Sequence, residues 1–293
     1  MTKTYIYSVA ELYFTLSLPS NLDVDELLPS MKGFRVAESK TMPIFQARCL
    51  DEETLPYNTG LKPLEQTVND MGKVSISEIK DEYIISSSYI DDSYVHYLIL
   101  SKDFRHVNLQ IRWQDKNVRS ALNSLLRIAF AQAVVLYGGV SIHGSTVVLN
   151  NEAYLFLGAS GTGKSTHSSL WQQVYEECYL LNDDNPVIRL VGDEVKIYGT
   201  PWSGKTPCYK NEGCHLSGIV RLQQAMENVF QTLHGIDAFI ALLPSCVVLK
   251  YDQKLYGEAC NIMSKIVGQS HVGLLKCLPN RAAAILCKES LVK

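Results

Sequence analysis

The chain has 293 residues, of which 46% are hydrophobic and 19% are charged, and its formal net charge is −3. These values are typical of a globular protein with a sizeable core, in one large domain or two ordinary ones. They do not favour a nucleic-acid partner, because binding one would need a basic surface. No 18-residue apolar run is present, the start lacks the apolar core of a signal peptide, and the eight cysteines form no CxxC pair, so we expect a cytoplasmic protein with reduced thiols and no membrane partner.

Residues 1–115 are predicted to be mostly β. Apolar or alternating runs of strand length recur there, separated by Pro, Asn, Asp and Gly turn signals. These runs begin at Thr4, Tyr13, Met42, Lys73, Glu82, Tyr94 and Val107. The carboxylate pairs Glu52-Glu53 and Asp91-Asp92 stand in turn-like sequence, so we interpret them as solvated loop charges. The region shows no recognisable chemistry and its role is left open.

A helix over residues 116–139 is predicted to connect this region to a second domain. Asn117 is suited to the N-cap, apolar residues follow with helical spacing, and Gly138-Gly139 is suited to the C-terminal end. The second domain is then expected to span residues 140–293.

A β-hairpin is predicted at the start of the second domain. Asn150-Asn151 forms its two-residue turn, because asparagine tolerates the positive φ that such a turn requires. Leu149 then faces Glu152. Counting back along the antiparallel register places His143 opposite Gly158. This position favours a functional role for the histidine over a structural or surface role.

The sequence Gly158-Ala-Ser-Gly-Thr-Gly-Lys-Ser165 fits G-x-x-x-x-G-K-[ST], the phosphate-binding P-loop or Walker A motif. A buried strand is predicted before it, over residues 154–157, and a helix after it, over residues 166–177. In such loops the backbone N–H groups and the N-terminus of the following helix bind phosphates. Lys164 is expected to reach the β- and γ-phosphates, and Ser165 to hold Mg²⁺. The predicted nucleotide contacts are Gly158, Ala159, Ser160, Gly161, Thr162, Gly163, Lys164, Ser165 and Thr166.

Two acids, Asp183 and Asp184, end the next predicted strand, which begins at Tyr179. Acids at a strand end near a phosphate-binding loop can hold Mg²⁺ or accept a proton from an attacking hydroxyl. The alternative is a simple Asp-Asn-Pro turn. We favour the functional interpretation because the acids follow the P-loop sequence by one helix and one strand.

A second glycine-containing loop, Gly199-Thr-Pro-Trp-Ser-Gly-Lys-Thr206, follows a hairpin predicted around Gly192-Asp193. Trp202, Ser203 and Lys205 in this loop are candidate substrate or phosphate contacts; the alternative is a tight turn. The remaining predicted elements are strands over 216–222 and 273–278 and helices over 225–234, 236–243, 256–267 and 280–288.

The run Ile142-His-Gly, the hairpin, the GASGTGKS loop and Leu181-Asn-Asp-Asp184 together resemble the catalytic domain of HPr kinase/phosphorylase. The loop is also similar to that of ATP-dependent phosphoenolpyruvate carboxykinase, and the two families share a nucleotide-binding fold. The resemblance covers residues 140–290. It implies an α/β P-loop nucleotide-binding domain with a mixed (α+β) sheet, preceded here by a mostly β N-terminal domain.

The same resemblance implies ATP and Mg²⁺ as cofactors. His143, Lys164, Asp183 and Asp184 would be the catalytic residues, and Ser165 and Asp184 the metal ligands. One acid would take the proton from the acceptor hydroxyl, and we favour Asp183 for that role. The sequence has no clean match to the family's Glu-x-x-Gly metal contact, and its C-terminal arginine is not identifiable, since Arg281 is a poor candidate; both departures argue against HPr itself as the acceptor.

The leading hypothesis is an ATP- and Mg²⁺-dependent kinase that acts on a protein serine or on the hydroxyl of a small molecule. One alternative is a nucleotide-binding regulatory or adaptor protein without transfer chemistry, and another is a degenerate loop with no ligand. Assembly into a homo-oligomer is expected by analogy with the family alone. Whether the protein also removes phosphate is left open.

Overall fold

The computed structural model describes residues 1–50, 60–69, 72–90, 94–204 and 206–291. The chain divides into two compact units, Met1–Ala133 and Val134–Lys293. Within the described ranges each unit contains a nine-stranded mixed sheet, so the predicted mixed α/β class is confirmed. The carboxylate pairs Glu52-Glu53 and Asp91-Asp92 lie outside the described residues.

The described part of the first unit is a sheet with two α-helices. Its strands are β1 (Thr2–Val9), β2 (Leu12–Pro19), β3 (Arg35–Val36), β4 (Phe45–Cys49), β5 (Lys62–Asn69), β6 (Gly72–Ile79), β7 (Glu82–Tyr89), β8 (His96–Ser101) and β9 (His106–Gln110). Its helices are α1 (Val24–Leu27) and α2 (Val118–Ala133), with a 3₁₀ helix at Pro29–Phe34. The sheet order is β3-β1-β2-β4-β9-β8-β7-β6-β5. The β2–β4 and β4–β9 pairs are parallel and the others are antiparallel.

Alternation of apolar residues explains most of this sheet. In β2 every second side chain is buried, as expected for a strand with one face in a core. Phe14 of β2 stacks on Phe45 with ring centroids 4.7 Å apart and meets Phe130 of α2 edge-on at 6.0 Å.

Strand β5 is not among the predicted elements, because its polar sequence does not alternate. Most of its side chains are exposed, and it is held at the sheet edge by pairing with β6.

Helix α2 follows the predicted apolar spacing. It ends at Ala133, and a 3₁₀ turn at Val134–Tyr137 leads to Gly138, whose φ is 72°. The stretch Val118–Tyr137 is long and apolar enough to cross a membrane by composition alone. However, 61% of its most apolar window is buried in the protein, as in a core helix.

The second unit carries the predicted P-loop sequence. Its strands are β10 (Gly139–Ser141), β11 (Gly144–Leu149), β12 (Glu152–Leu157), β13 (Tyr179–Asp184), β14 (Val187–Val191), β15 (Glu194–Tyr198), β16 (Gly213–Gln224), β17 (Val229–Leu233) and β18 (His271–Cys277). Its helices are α3 (Lys164–Val174), α4 (Gly235–Leu242), α5 (Gln253–Gln269) and α6 (Arg281–Leu291). The main strand order is β10-β14-β15-β16-β12-β11-β13, and β18 joins β16 and β17. Strands β12, β16 and β18 are mutually parallel.

The hairpin of β11 and β12 has the predicted turn and register. Asn150 and Asn151 have φ of 54° and 63°, and positive φ at both central residues is typical of a type I′ turn. Leu149 pairs with Glu152 as predicted. The core beneath this hairpin contains the fully buried Trp171 of α3.

One predicted helix, over residues 225–234, is wrong: β17 occupies half of this stretch as a strand paired with β18. The residues that begin this stretch favour a helix in isolation, but tertiary packing decides the outcome. The ring of Phe230 fills the space over Gly273, where a Cβ would lie 2.1 Å from the ring. The glycine therefore accepts an aromatic side chain of the neighbouring strand.

Candidate functional site

Three neighbouring strands bring the predicted catalytic residues to one edge of the second sheet. β11 begins at Gly144, which pairs with Leu157 at the end of β12 and with Asp184 at the end of β13. Because β11 is antiparallel to both neighbours, its first residue lies beside their last residues. His143, the 158–165 loop and the acids therefore meet at this edge.

The 158–165 loop connects β12 to α3. Gly161 and Gly163 have φ of 79° and 105°, a left-handed conformation that favours glycine. Gly163 is the N-cap of α3. Thr162 donates from Oγ1 to the carbonyl oxygen of Ala159 at 2.8 Å and so closes the loop. Since the first N–H groups of a helix have no partner within it, this end of α3 carries partial positive charge.

Lys164 folds back over the loop that precedes it. Its Nζ donates to the carbonyl oxygens of Gly158 at 3.0 Å and Ala159 at 3.2 Å. Burial lowers the pKa of Lys164, while the carboxylates of Asp184 and Asp183 oppose that shift. The amine is thus held at the mouth of the loop, close to both acids.

Asp183 contacts the first turn of α3. Ser165 Oγ donates to Asp183 Oδ1 at 2.9 Å, and Asp183 is only 5% exposed. In the part of the chain that the structure describes, no group of three or more His, Cys, Asp or Glu side chains is arranged to hold a metal ion. The hydroxyl and the carboxylate are nevertheless the kind of oxygen ligands that Mg²⁺ uses, together with water and phosphate oxygens.

Asp184 contacts His143 instead. His143 Nδ1 lies 3.0 Å from Asp184 Oδ1, and the two side chains are 41% and 31% exposed. The backbone N–H of His143 donates to the carbonyl oxygen of Ser245 at 2.7 Å, and Ile142 pairs with Cys246. The histidine is therefore fixed through its backbone while its pair with Asp184 stays open to an incoming molecule.

The 199–206 loop packs against the end of β13 that carries the acids. Ser203 pairs with Asp184, and the N–H of Gly204 donates to the carbonyl oxygen of Asp183 at 2.5 Å. A Cβ at Gly204 would lie 2.8 Å from that oxygen, so a larger residue there would push the loop away from the strand. Ser203 is partly exposed, and its hydroxyl donates to a carbonyl of the same loop.

Asn182 ties this loop to the acids. It is fully buried, and its Nδ2 donates to the carbonyl oxygens of Thr200 at 3.2 Å and Trp202 at 3.3 Å. Its Oδ1 accepts from the N–H of Asn185 at 2.9 Å. The residue before the two acids thus fixes the strand end through a buried amide. The sequence places Asn182 in the Leu-Asn-Asp-Asp run but gives no reason to single it out.

The other candidate substrate contacts differ in accessibility. Trp202 is only 3% exposed, so its ring faces protein rather than solvent. Lys205 lies outside the described residues.

Arg221 is a cation near the site that the sequence does not predict. It pairs with Leu157 in the parallel β12–β16 register and lines a groove of about 490 Å³ beside Ala159 and Ser160. Its Nη1 donates to the carbonyl oxygen of Ala241 at 2.9 Å. Pairing between strands so distant in sequence leaves no local sequence pattern, so the sequence gives no reason to single out Arg221.

The sequence matches no known protein-family model and no curated protein. Among solved structures, the chain is similar to the HPr(Ser) kinase/phosphatase from Coxiella burnetii, at 14% sequence identity and a TM-score of 0.29, over 52% of this chain and 87% of that one. A likeness at this level is a distant one of fold only.

Proposed function

We propose that this protein is an ATP- and Mg²⁺-dependent phosphotransferase with a hydroxyl acceptor. The observation that carries the proposal is the division of the two acids at the mouth of the 158–165 loop. Asp183 contacts Ser165 at the start of α3, and Asp184 contacts His143 on the opposite side. A site for binding alone would need the loop but not a second, partly exposed carboxylate beside it.

The loop fits a phosphate chain. Left-handed glycines let its backbone turn tightly, and the N-terminus of α3 points positive charge at the same place. Backbone N–H groups in such a turn, with a lysine at the mouth, are suited to the β- and γ-phosphates. We therefore assign ATP binding to residues 158–166, with Lys164 neutralising phosphate charge.

Ser165 and Asp183 would hold Mg²⁺. Their oxygens already lie 2.9 Å apart, and Mg²⁺ is commonly bound through one or two protein oxygens plus phosphate oxygens and water. When bound, the ion would supply neutralisation of the negative charge on the phosphates.

Asp184 is the base in this proposal. The sequence favoured Asp183 as base and Asp184 as metal ligand, and the contacts favour the exchanged assignment, because Asp183 is buried against Ser165. The acceptor oxygen forms a bond to the γ-phosphorus, and the bond from that phosphorus to the β,γ-bridging oxygen breaks, so that ADP leaves. The acceptor proton passes to the carboxylate of Asp184, while His143 orients that carboxylate.

The acceptor is proposed only by class, as a protein serine or a small hydroxyl compound. The partly exposed pair of Asp184 and His143 lies beside Ser203, so the acceptor would enter between this pair and the 199–206 loop. Cytoplasmic location and assembly into a homo-oligomer stay predictions.

The proposal is tested by transfer from γ-labelled ATP to free serine, small hydroxy compounds and proteins of a cell extract. Lys164→Ala should lower transfer by about 10²-fold or more, since it removes a cation from the charge that develops on the phosphates. Lys254→Ala, an exposed lysine of α5, is the matched control and should transfer normally.

Two results would count against the proposal. Transfer by Lys164→Ala at the wild-type rate would remove the 158–165 loop from the reaction. Binding of Mg-ATP without loss of γ-phosphate to any acceptor would favour the regulatory alternative. Binding itself is measured by thermal unfolding. A ligand at a concentration a hundredfold above its Kd raises the free energy of unfolding by about 2.7 kcal/mol.

A further inference from the structure

A cavity of about 670 Å³ opens next to the 158–165 loop, on the side away from the acids. Gly161, Thr162 and Gly163 of the loop line it. Its walls are largely apolar and come from Leu170 of α3, Leu222 of β16 and residues 277–279 after β18. Small-molecule sites are commonly concave, mostly apolar and of 300–1,000 Å³ in volume, with a few placed polar groups.

The strand order puts this cavity and the acids at opposite ends of any molecule bound to the loop. From the cavity to the acids the order is β18-β16-β12-β11-β13, and the 158–165 loop follows the middle strand. Neighbouring strands are about 4.8 Å apart, so β18 and β13 each lie about 10 Å from β12, on opposite sides of it. A phosphate chain whose γ-phosphate faces the acids would therefore direct its other end towards β16 and β18.

His167 offers a hydrogen-bond donor among the residues that line the cavity. It lines the cavity yet is only 3% exposed, and its Nε2 lies 3.1 Å from the indole Nε1 of Trp171. An indole N–H can only donate, so Nε2 of His167 is the acceptor and its proton is on Nδ1. Among the described residues, none accepts a hydrogen bond from this Nδ1–H.

Gln224 provides the complementary group. Its Nε2 donates to the carbonyl oxygens of Gly161 at 3.2 Å and Thr162 at 3.5 Å. This ties the end of β16 to the loop, and Gln224, whose Oε1 can accept a hydrogen bond, lines the cavity. The cavity thus combines apolar walls with one placed donor and one placed acceptor.

We propose that this cavity receives the base of the bound nucleotide, a purine ring held between the apolar walls with the Nδ1–H of His167 donating to a ring nitrogen. The inference rests on the proposed function, because it assumes that the phosphates lie in the 158–165 loop. A purine fits this chemistry: its ring nitrogens accept hydrogen bonds, and its flat faces suit apolar walls.

Comparing ATP with inorganic tripolyphosphate, which carries the same phosphates without a base, tests the cavity directly. Calorimetric titration of the full chain with each ligand and Mg²⁺ should give a Kd for ATP at least tenfold below that for tripolyphosphate. Ala225→Trp places an indole in the cavity, which Ala225 lines, and should reduce that ratio to about one by weakening ATP binding alone. Ala37→Trp, at an exposed alanine of the first unit, is the matched control and should keep the wild-type ratio.

A second measurement needs no variant. With ¹⁵N-labelled histidine, the Nδ1–H resonance of His167 should shift on addition of ATP and stay in place on addition of tripolyphosphate. This keeps the proposal testable if Ala225→Trp fails to fold.

The outcomes separate the cavity from the phosphate site. Three results would overturn the assignment of the cavity: equal affinities of the wild type for the two ligands, an unchanged affinity ratio in folded Ala225→Trp, or a His167 resonance that does not shift with ATP. Each would place the base elsewhere, for example in the groove at Arg221, and leave the proposed function standing. Failure of both ligands to bind the wild type would overturn the proposed function and this inference together.

Discussion

A histidine–aspartate pair occurs in each unit, and the two pairs differ in their surroundings rather than in their chemistry. In the first unit, His96 Nε2 lies 2.6 Å from Asp115 Oδ2 and both side chains are fully buried. In the second, His143 Nδ1 lies 3.0 Å from Asp184 Oδ1 and both side chains are partly exposed.

The buried pair is a structural hydrogen bond. The N–H of Arg112 donates to His96 Nδ1 at 3.3 Å, so the proton of the ring is on Nε2 and is donated to Asp115. A group sealed from water in this way has no route to a substrate. The exposed pair has one, beside a loop suited to phosphate. Exposure, and not the identity of the residues, therefore separates the pair that supports the fold from the pair that we assign to catalysis.

The largest effect is expected from Asp184→Asn. The amide keeps a hydrogen bond to His143 but cannot accept a proton, so the transfer rate should fall by about 10²- to 10⁴-fold, the usual contribution of a general base. The rate is measured at saturating Mg-ATP and acceptor. Asp193→Asn, in an exposed turn, is the control. If Asp184→Asn keeps a rate within threefold of the wild type while Asp183→Asn loses it, the roles of the two acids are the reverse of those proposed.

The next effect is on stability, and it compares the two pairs under the same substitution. His96→Phe leaves the carboxylate of Asp115 buried without that donor, which should lower the free energy of unfolding by about 3 kcal/mol. His143→Phe leaves Asp184 in contact with water and should cost less than about 1 kcal/mol. Urea unfolding of both variants measures the difference. Equal losses would show that the His143 pair is also structural.

The smallest expected effect concerns a third histidine, His167, and tests how its burial changes stability with pH. The pKa of His167 is lowered from 6.5 to about 4 by burial, so between these values the unfolded chain binds a proton that the folded chain does not. The stabilisation of the folded state by a neutral His167 is complete above the pKa of the histidine in the unfolded chain, and it is lost as the pH falls. Between pH 7 and pH 5 it should amount to about 2 kcal/mol.

His167→Gln tests this expectation, because the glutamine oxygen can still accept from Trp171. The loss of stability from pH 7 to pH 5 should be smaller in His167→Gln than in the wild type, by urea unfolding at both values. An identical pH dependence in the two proteins would mean that His167 titrates normally in the folded state.

Local patterns predicted the hairpin and the strand–loop–helix around residues 158–165. The Asn150-Asn151 turn sets the register by itself, and the position of His143 follows from counting. The prediction failed where a partner strand decides the conformation, as in β17, or where an edge strand is polar, as in β5. Such pairings depend on residues far away in sequence and leave no periodicity to recognise.

The candidate site divides in the same way. His143, the loop and the acids stand out because each belongs to a recognisable residue pattern. The different contacts of Asp183 and Asp184 do not, since they depend on which side of β13 faces α3. Asn182, Arg221 and the cavity at His167 depend on contacts with the 199–206 loop, with β16 and with β18, and these contacts are visible only in three dimensions.

The hairpin turn at Asn150-Asn151 also bears on how the chain folds. His143, the 158–165 loop and both acids lie within the single stretch 143–184, so their edge of the sheet can close through pairings inside that stretch, from the hairpin to the pair of Gly144 and Asp184. The cavity needs β16 and β18, which pair across the whole stretch 218–277. Contacts of low sequence separation lose less chain entropy on forming. The half of the site that would hold phosphates can thus form from one continuous segment, whereas the half that would hold a base needs strands from beyond that segment.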